Sequence, residues 1–360
     1  MMLRFIWKTL KWCSVGLLLL VLALLAPIGY VETFCRADED QVAYTPIVVN
    51  EKFTRGEANS YLTYPEWHIV YAYEGLANTL KTDDEYAFDY TTSVVGFWRS
   101  YCALNKKANQ HGGGEFGTRL VIYTIGASFT LEMAVKAIYE ETIGRVFATI
   151  RGAQKTPQDS YAAEMALDYA TFLQQIPWFK YDFDAANKAL WAQPVDHALR
   201  GWERRLALGL EWKAKSAYAA FIDSNAGLAG APQLRFRSVV KDISPAVLST
   251  IDEVEIVSET PEYTIIETPR YRKLTRIIIK ITELGGNIVE IAGNDDIMLS
   301  VIQTASTNTP EFNTGDVLSE INRDGFNSQR VLIGVKVSDL GKAIQDANEN
   351  GRKIEHIYDY

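Results

Sequence analysis

The sequence predicts an α+β protein with a single N-terminal transmembrane helix, a mainly helical middle domain and a C-terminal ferredoxin-like α/β sandwich. Three observations predict this: an uncharged apolar run near the N-terminus, capped helical patterns up to about residue 230, and alternating β-branched residues beyond it. All eight Trp and all three Cys lie at or before Trp212. We divide the chain into five parts. They are a cytoplasmic basic tail (1–11), an anchor (12–31), a polar lead-in segment (32–60), an aromatic-rich helical domain (61–230) and a ferredoxin-like domain (233–360).

The anchor is the uncharged stretch from Trp12 to Val31. Its 20 residues make roughly 30 Å of helix, the thickness of a bilayer's hydrocarbon core. Basic residues precede it and acidic residues follow it, so we place the N-terminus in the cytoplasm and the body outside. A cleaved signal peptide is the alternative, but its apolar run is usually only about 7–15 residues long. A retained anchor is therefore favoured.

The body after the anchor is acidic. The first 31 residues carry +3 of the net charge of −9, which leaves −12 for residues 32–360. Nucleic-acid binding is not expected, since phosphate contacts need clustered positive charge. Outside the cytoplasm Cys35 and Cys102 could form a disulfide, and two buried thiols are the alternative.

Helices follow one another through the middle domain. Thr63 to Glu66 forms a capping-box pattern with Pro in the first turn, which predicts a helix to about Leu80. Thr156 followed by Pro157 predicts another helix start. We expect a Gly-rich break at 111–117, followed by two longer helices at 119–149 and 196–226.

The C-terminal domain has the order strand–helix–strand twice, at about 262–292 and 330–358. A strand at 297–302 and a polar loop at 303–328 join the two copies, which gives the order βαβ-β-βαβ on one sheet. We expect Thr268 to cap the first helix and Pro269 to begin it. The segment 286–290 resembles 351–355, which suggests duplication.

The apolar dozen from Leu120 to Leu131 raises the question of a second span. Twelve residues reach only about 18 Å, and extension to Ile138 would include Glu132 and Lys136. We therefore expect a buried core helix here, with a second membrane span as the alternative.

The helix after Thr63 carries the densest set of possible catalytic residues. Glu66, His68 and Glu74 supply acid and base groups within three turns, and Arg99 is a possible partner for Glu74. The structural alternative is a cap at Glu66 and an ordinary ion pair at Glu74. The sequence contains no Cys-His zinc spacing and no dinucleotide or Walker motif, so we expect neither a metal nor a cofactor.

Three further sets are candidates for binding. The first is polar and lies on an apolar helix, the second is aromatic, and the third is basic. The polar set is Glu132, Glu141 and Arg145, and its alternative is a structural ion pair. The aromatic set is Trp178, Tyr181 and Trp191, and its alternative is an aromatic minicore. The basic set is Arg272 and Arg276, and its alternative is a solvated helix face.

These features lead to one functional expectation. We expect a bitopic protein anchored in the bilayer through residues 12–31, whose extracytoplasmic body acts as a binding, assembly or accessory factor for a protein partner in or at the membrane. One alternative is a membrane-tethered enzyme that uses Glu66, His68 and Glu74 in a cleft of the helical domain. Another is a binder of a lipid or quinone among its aromatic helices.

Overall fold

The structure is a computed structural model that describes residues 2–37, 44–174, 176–226, 234–304 and 312–360. The acidic residues at 38–40, the glycines expected to end the last helix of the middle domain, and the expected domain boundary near 230 lie outside these ranges. The α-helices are α1 (Met2–Phe34), α2 (Asn59–Leu62), α3 (Tyr64–Thr82), α4 (Tyr90–Gln110), α5 (Phe116–Tyr139), α6 (Arg145–Arg151), α7 (Pro157–Leu173), α8 (Phe183–Ala192), α9 (Ala198–Ala226), α10 (Pro245–Leu248), α11 (Arg272–Glu283) and α12 (Leu340–Glu349).

Short irregular turns supplement these helices. A π-helical turn, Glu140–Gly144, joins α5 to α6, so the expected helix at 119–149 is continuous but locally widened. The 3₁₀ turns are Glu85–Ala87, Trp178–Lys180 and Val337–Asp339.

Within the described ranges, eight strands form two antiparallel four-stranded sheets, instead of the one sheet expected. The first sheet has the order β2-β3-β1-β4 and the second β6-β7-β5-β8. The order is the same in both, so 286–290 and 351–355 fall on equivalent edge strands. The strands are β1 (Arg235–Lys241), β2 (Glu255–Glu259), β3 (Thr264–Pro269), β4 (Asn287–Ile291), β5 (Asp296–Thr304), β6 (Asp316–Asn322), β7 (Ser328–Lys336) and β8 (Lys353–Tyr358).

Helices α11 and α12 pack between the two sheets. One hydrophobic core joins Ile266 of the first sheet and Ile333 of the second to Ile278 of α11 and Ile344 of α12. The opposite face of the second sheet packs against the helical domain, where Met298 lies in one cluster with Leu104. The alternation along β5 explains this, because successive side chains point to opposite faces of a strand.

Helix α3 begins where it was expected, with Pro65 in its first turn, but its capping box is absent, and the helix start expected at Thr268 is wrong. Thr63 has helical dihedral angles and its hydroxyl donates to the Ser60 carbonyl, so no capping box forms at α3. Thr268 and Pro269 belong to β3, where they pair with Phe236 and Arg235 of β1. The cap predicted at Thr156, by contrast, is confirmed, and α7 begins at Pro157; Thr156 in addition forms a capping box with Asp159.

In the part of the chain that the structure describes, two helical segments are long and apolar enough to cross a bilayer. One is Ser14–Phe34 in α1, and the other is Phe116–Arg151, which includes α5 and α6. The expectation of a buried core helix at 120–131 does not fit α5. Only one helix face is buried, and residues such as Leu120 and Val121 are more than half exposed.

Candidate functional site

The densest polar cluster in the helical domain surrounds Arg204, in the first half of α9. The guanidinium group is completely buried. It donates to Glu85 at 2.7 Å, to Glu140 at 3.0 Å and to Glu203 at 2.9 Å. One cation therefore holds three carboxylates from three different segments of the chain.

Arg200 lies one helical turn before Arg204 and extends the cluster. It donates to Asp159 at 2.9 Å and to Glu203 at 2.8 Å. Arg151 also contacts Asp159 at 2.9 Å. Asp159 accepts a hydrogen bond from the Thr156 amide as well, so the cap of α7 is part of the network.

Two lysines continue the network toward the second half of α9. Lys136 pairs with Glu211 at 2.8 Å, and Lys215 pairs with Glu132 at 2.7 Å. Tyr73 donates to Glu132 and accepts from Lys215 at 2.6 Å. A cavity of about 20 Å³ beside these groups has room for one water molecule.

The π-helical turn lets the chain approach this network closely. Arg200 donates to the Gly144 carbonyl at 3.2 Å. A Cβ atom at Gly144 would lie 2.2 Å from a Glu140 carboxyl oxygen, so a larger residue here would displace the Glu140 carboxyl group from its position beside Arg204. Such turns are frequent at functional sites in proteins.

Among the described residues the network contains seven carboxyl groups and five cations, and each carboxyl group lies within ion-pair distance of at least one cation. Burial and the neighbouring charge of Glu85 raise the pKa of Glu140 to about 9. Burial raises the pKa of Glu85, but Lys136 and Arg204 outweigh it and lower the pKa below its ordinary value. The arrangement fixes α5, α7 and α9 relative to one another. The carboxylates are Asp84, Glu85, Glu132, Glu140, Asp159, Glu203 and Glu211, and the cations are Lys136, Arg151, Arg200, Arg204 and Lys215.

The four candidate catalytic residues do not converge. Glu66 and Arg99 are exposed. His68 is buried and its Nε2 donates to the Ser93 carbonyl at 2.9 Å. Glu74 faces Arg323, 3.7 Å away in the turn between β6 and β7, and not Arg99. The expected cleft with a shared acid and base is therefore not formed by these side chains.

The polar set on the α5–α6 helix is divided. Glu132 joins the buried network through Lys215. Glu141 and Arg145 are exposed, and the Arg145 guanidinium packs 5.3 Å from the ring centre of Tyr86. The π-helical turn between them changes the spacing that favours an ion pair in a regular helix.

The aromatic set is divided between a minicore and the surface. Trp178 and Tyr181 are half-buried. Trp178 packs on Tyr218, and Tyr181 packs on Tyr169. Trp191 is 41% exposed and lies edge-on to another tryptophan, Trp202.

The basic set lies on the exposed face of α11. Arg272 donates to Gln174 of the helical domain. Arg276 is exposed on the same helix. Neither side chain contributes to the buried network around Arg204.

A separate cluster joins the helical domain to the second sheet. His111 contacts Glu57 at 2.9 Å and stacks on Tyr61 with ring centres 5.3 Å apart. Glu57 accepts from the Asp296 amide at 2.9 Å, and Tyr61 donates to the Asp296 carboxylate. His111, the first residue of the Gly-rich break after α4, is thus held by contacts with Glu57 and Tyr61.

Helix α1 is joined firmly to the body at its C-terminal end. A disulfide links Cys35 to Cys102 of α4, which decides between the two possibilities left open by the sequence. Glu32 accepts from Tyr123 at 2.6 Å and from Arg119 at 3.2 Å, both in α5. The body is therefore held close to the end of the apolar helix.

Comparisons with known proteins do not assign the chain to a family. No protein-family model, no curated protein and no solved structure matches it. The functional argument therefore depends on the chain's own geometry.

Proposed function

We propose that this chain is a bitopic membrane protein, with its N-terminus in the cytoplasm and its body on the other side, and that the body acts as a binding or assembly factor of a membrane complex. Helix α1 supplies the anchor, because its segment Ser14–Phe34 is long and apolar enough to cross a bilayer. The basic residues before it and the acidic body after it support this orientation.

The disulfide supports an oxidising location for the body. Disulfides persist in secreted and periplasmic proteins and are rare in the cytosol. The Cys35–Cys102 link lies immediately beyond the anchor and is part of the hydrophobic cluster around Tyr101. In a Gram-negative cell the corresponding compartment is the periplasm.

The observation that carries the binding function is the exposed edge strand β2. All five of its residues are exposed, and β3 is its neighbour on one side only. Ile256 and Val257 are 39% and 40% exposed. An edge strand with free backbone groups accepts an added strand from a partner, with apolar side chains as contacts. We infer that an extended segment of the partner pairs with β2.

The two alternative functions have less support. The enzyme alternative needs Glu74, His68 and Arg99 in one pocket, and their side chains lie apart. The apolar-ligand alternative needs a large cavity among the aromatic helices, where the cavity beside Tyr73 measures about 20 Å³. An open depression of about 580 Å³ next to Trp191 is lined mainly by charged and amide side chains.

We also propose that each sheet, with its helices, is a ferredoxin-like unit and that the domain arose by duplication. The shared strand order supports this, because the first and third strands of each unit are central. The first unit has α10 and α11 in the two crossovers, and the second has α12 in the later one.

Photo-crosslinking in intact membranes tests the binding function. A photoreactive amino acid at Ile256 should give a discrete adduct with one protein, and the additional substitution Val257→Lys should abolish it by blocking the strand edge. Val247→Lys is the matched control, because Val247 is also exposed in the same domain. Absence of any adduct, or one that both substitutions leave unchanged, would refute binding at β2.

A further inference from the structure

Helices α5–α6 and α9 lie side by side and antiparallel. Ion pairs join them at successive levels, from Arg204 with Glu140 at 3.0 Å to Lys215 with Glu132 at 2.7 Å. Both helices bury one face in the same core, which contains Met133 of α5 and Leu208 of α9. Their opposite faces therefore belong to one continuous surface, which we call the helix-pair surface.

The helix-pair surface is strongly apolar. Ile138 is 71% exposed, and Leu210 on the neighbouring helix is 73% exposed. The outward positions between Phe116 and Ile138 include no charged residue. Soluble proteins rarely expose contiguous apolar areas of this kind without a partner. Its large apolar residues are Phe116, Leu120, Val121, Leu131, Val135, Ile138, Ile143, Val146 and Ile150 from α5–α6, and Leu199, Trp202, Leu206, Leu210 and Phe221 from α9.

The charged residues of α5 are turned toward the body. Arg119 pairs with Glu32, Glu132 with Lys215, and Lys136 is buried with Glu211. Contact of the outward face with the bilayer would therefore not bring these charges into hydrocarbon. Charged groups at membrane depth are tolerated when they face the protein interior and are paired.

The C-terminal turns of α1 lie against the start of the helix-pair surface. Pro27 and Ile28 are half-buried and Val31 is 1% exposed, although all three lie within the apolar anchor. Val31 packs in one cluster with Ile122 of α5 and Tyr101 of α4. If α1 crosses the bilayer, the first turns of α5 lie at the same depth in the bilayer as the last turns of α1. The helix-pair surface continues from this contact.

The polar residues on the surface indicate an interfacial position. The Arg205 guanidinium lies 5.5 Å from the ring centres of both Trp191 and Trp202. Tryptophan rings and long basic side chains are favoured at headgroup level. Glu141 and Arg145 interrupt the apolar stripe, which favours helices lying along the bilayer surface over a second crossing.

We propose that the helix-pair surface is immersed in the headgroup and outer acyl region of the bilayer, beside α1. The bilayer thus covers the apolar faces of α5–α6 and α9, and the body is fixed against the membrane instead of being suspended above it. This inference rests on the proposed membrane anchor. It adds a second, monotopic contact to the crossing by α1.

Fluorescent labels in the purified full chain, reconstituted in vesicles, test the proposal. In a Cys13→Ala background that keeps the disulfide, single cysteines are introduced as Val135→Cys and Leu206→Cys on the helix-pair surface. Leu19→Cys reports on α1, and Lys342→Cys on the exposed face of α12 is the solvent control. Each is labelled with an environment-sensitive dye. Quenching is compared between soluble iodide and lipids carrying a doxyl group near the headgroup.

Labels at positions 135 and 206 should show blue-shifted emission, loss of iodide quenching and strong quenching by doxyl lipid. Iodide quenching equal to that at position 342 would overturn the proposal. Protection from iodide without doxyl quenching would also overturn it, since a second copy of the chain would then cover the surface. If α1 is not in the bilayer, the label at position 19 will not be quenched by doxyl lipid, so failure of the proposed anchor is detected separately.

Discussion

The Arg204 guanidinium donates to the Glu85 carboxylate at 2.7 Å, although the two residues are 119 positions apart in the chain. Both side chains are almost completely buried. Glu140 and Glu203 share the same guanidinium, so three carboxylates depend on one cation. The position of α9 against the rest of the helical domain is tied to this contact.

The substitution Arg204→Met should destabilise the protein by about 3–5 kcal/mol, because it leaves buried carboxylates without their cation. Methionine retains much of the side-chain volume, so the loss reports the charge and not a large cavity. Urea unfolding in detergent measures it. Arg276→Met on the exposed face of α11 is the control and should change stability by less than about 0.5 kcal/mol. Equal midpoints for the two variants would contradict the prediction.

Removal of the disulfide by Cys35→Ser with Cys102→Ser should lower stability by about 2–4 kcal/mol, because the link closes a loop with a sequence separation of 67. The melting temperature of the purified protein measures this loss, with Cys13→Ser as the control that keeps the link. Thiol labelling after denaturation should detect one cysteine before reduction and three after it. Three reactive thiols in the unreduced protein would show that the link does not form.

Local patterns in the sequence were sufficient for the elements but not for their pairing. The apolar run of α1, the cap at Thr156 and the alternation along β5 are all short-range signals, and the structure contains these elements. The two sheets could not be predicted in this way, because β1 lies between β3 and β4 through contacts distant in the chain. Its sequence, Arg235–Lys241, also mixes charged and apolar residues without a clear strand pattern.

The buried network was missed for the same reason. Glu85, Glu140 and Arg204 are far apart in sequence, and each one alone resembles an ordinary surface charge. The available signal was the spacing of Arg200, Glu203 and Arg204, which places three charged residues within about one turn of α9 and on neighbouring positions of its surface. Glu66, His68 and Glu74 are close in sequence, but residues on one helix can face different neighbours, and these three side chains do not converge.

The contact between Gly75 and Asp324 yields a third prediction. A Cβ atom at Gly75 would lie 2.3 Å from the Asp324 carbonyl oxygen, in the turn between β6 and β7. Gly75→Ala should therefore separate α3 from this turn and cost about 1–3 kcal/mol. Gly117→Ala is the matched helical control, with no atom within 4 Å of the new Cβ. It should stabilise α5 by up to about 1 kcal/mol, since alanine favours helix.

Denaturant midpoints of both glycine variants measure these changes. The prediction concerns the sign of each change, because alanine favours helix at both positions, and only at position 75 does the new Cβ atom meet a backbone atom. Stabilisation by Gly75→Ala would show that the turn moves aside without cost.

The buried His68 makes stability depend on pH. Burial, together with the charge of Arg330, lowers its pKa from 6.5 to about 4, and the hydrogen bond to Ser93 opposes this only in part. Between pH 4 and 6.5 the unfolded chain therefore binds more protons at this residue than the folded chain. The free energy of unfolding contributed by His68 is complete above pH 6.5 and is lost as the pH falls toward 4, by about 3 kcal/mol.

The variant His68→Gln isolates this effect, because an amide nitrogen can still donate to the Ser93 carbonyl but does not titrate. Urea midpoints of the wild type and the variant should be measured from pH 7 to 4.5. The wild type should lose more stability on acidification than the variant, while contributions from all other groups cancel in the difference. Parallel pH profiles would mean that His68 is protonated equally in the folded and unfolded states, and that its contact with Ser93 does not require the neutral ring.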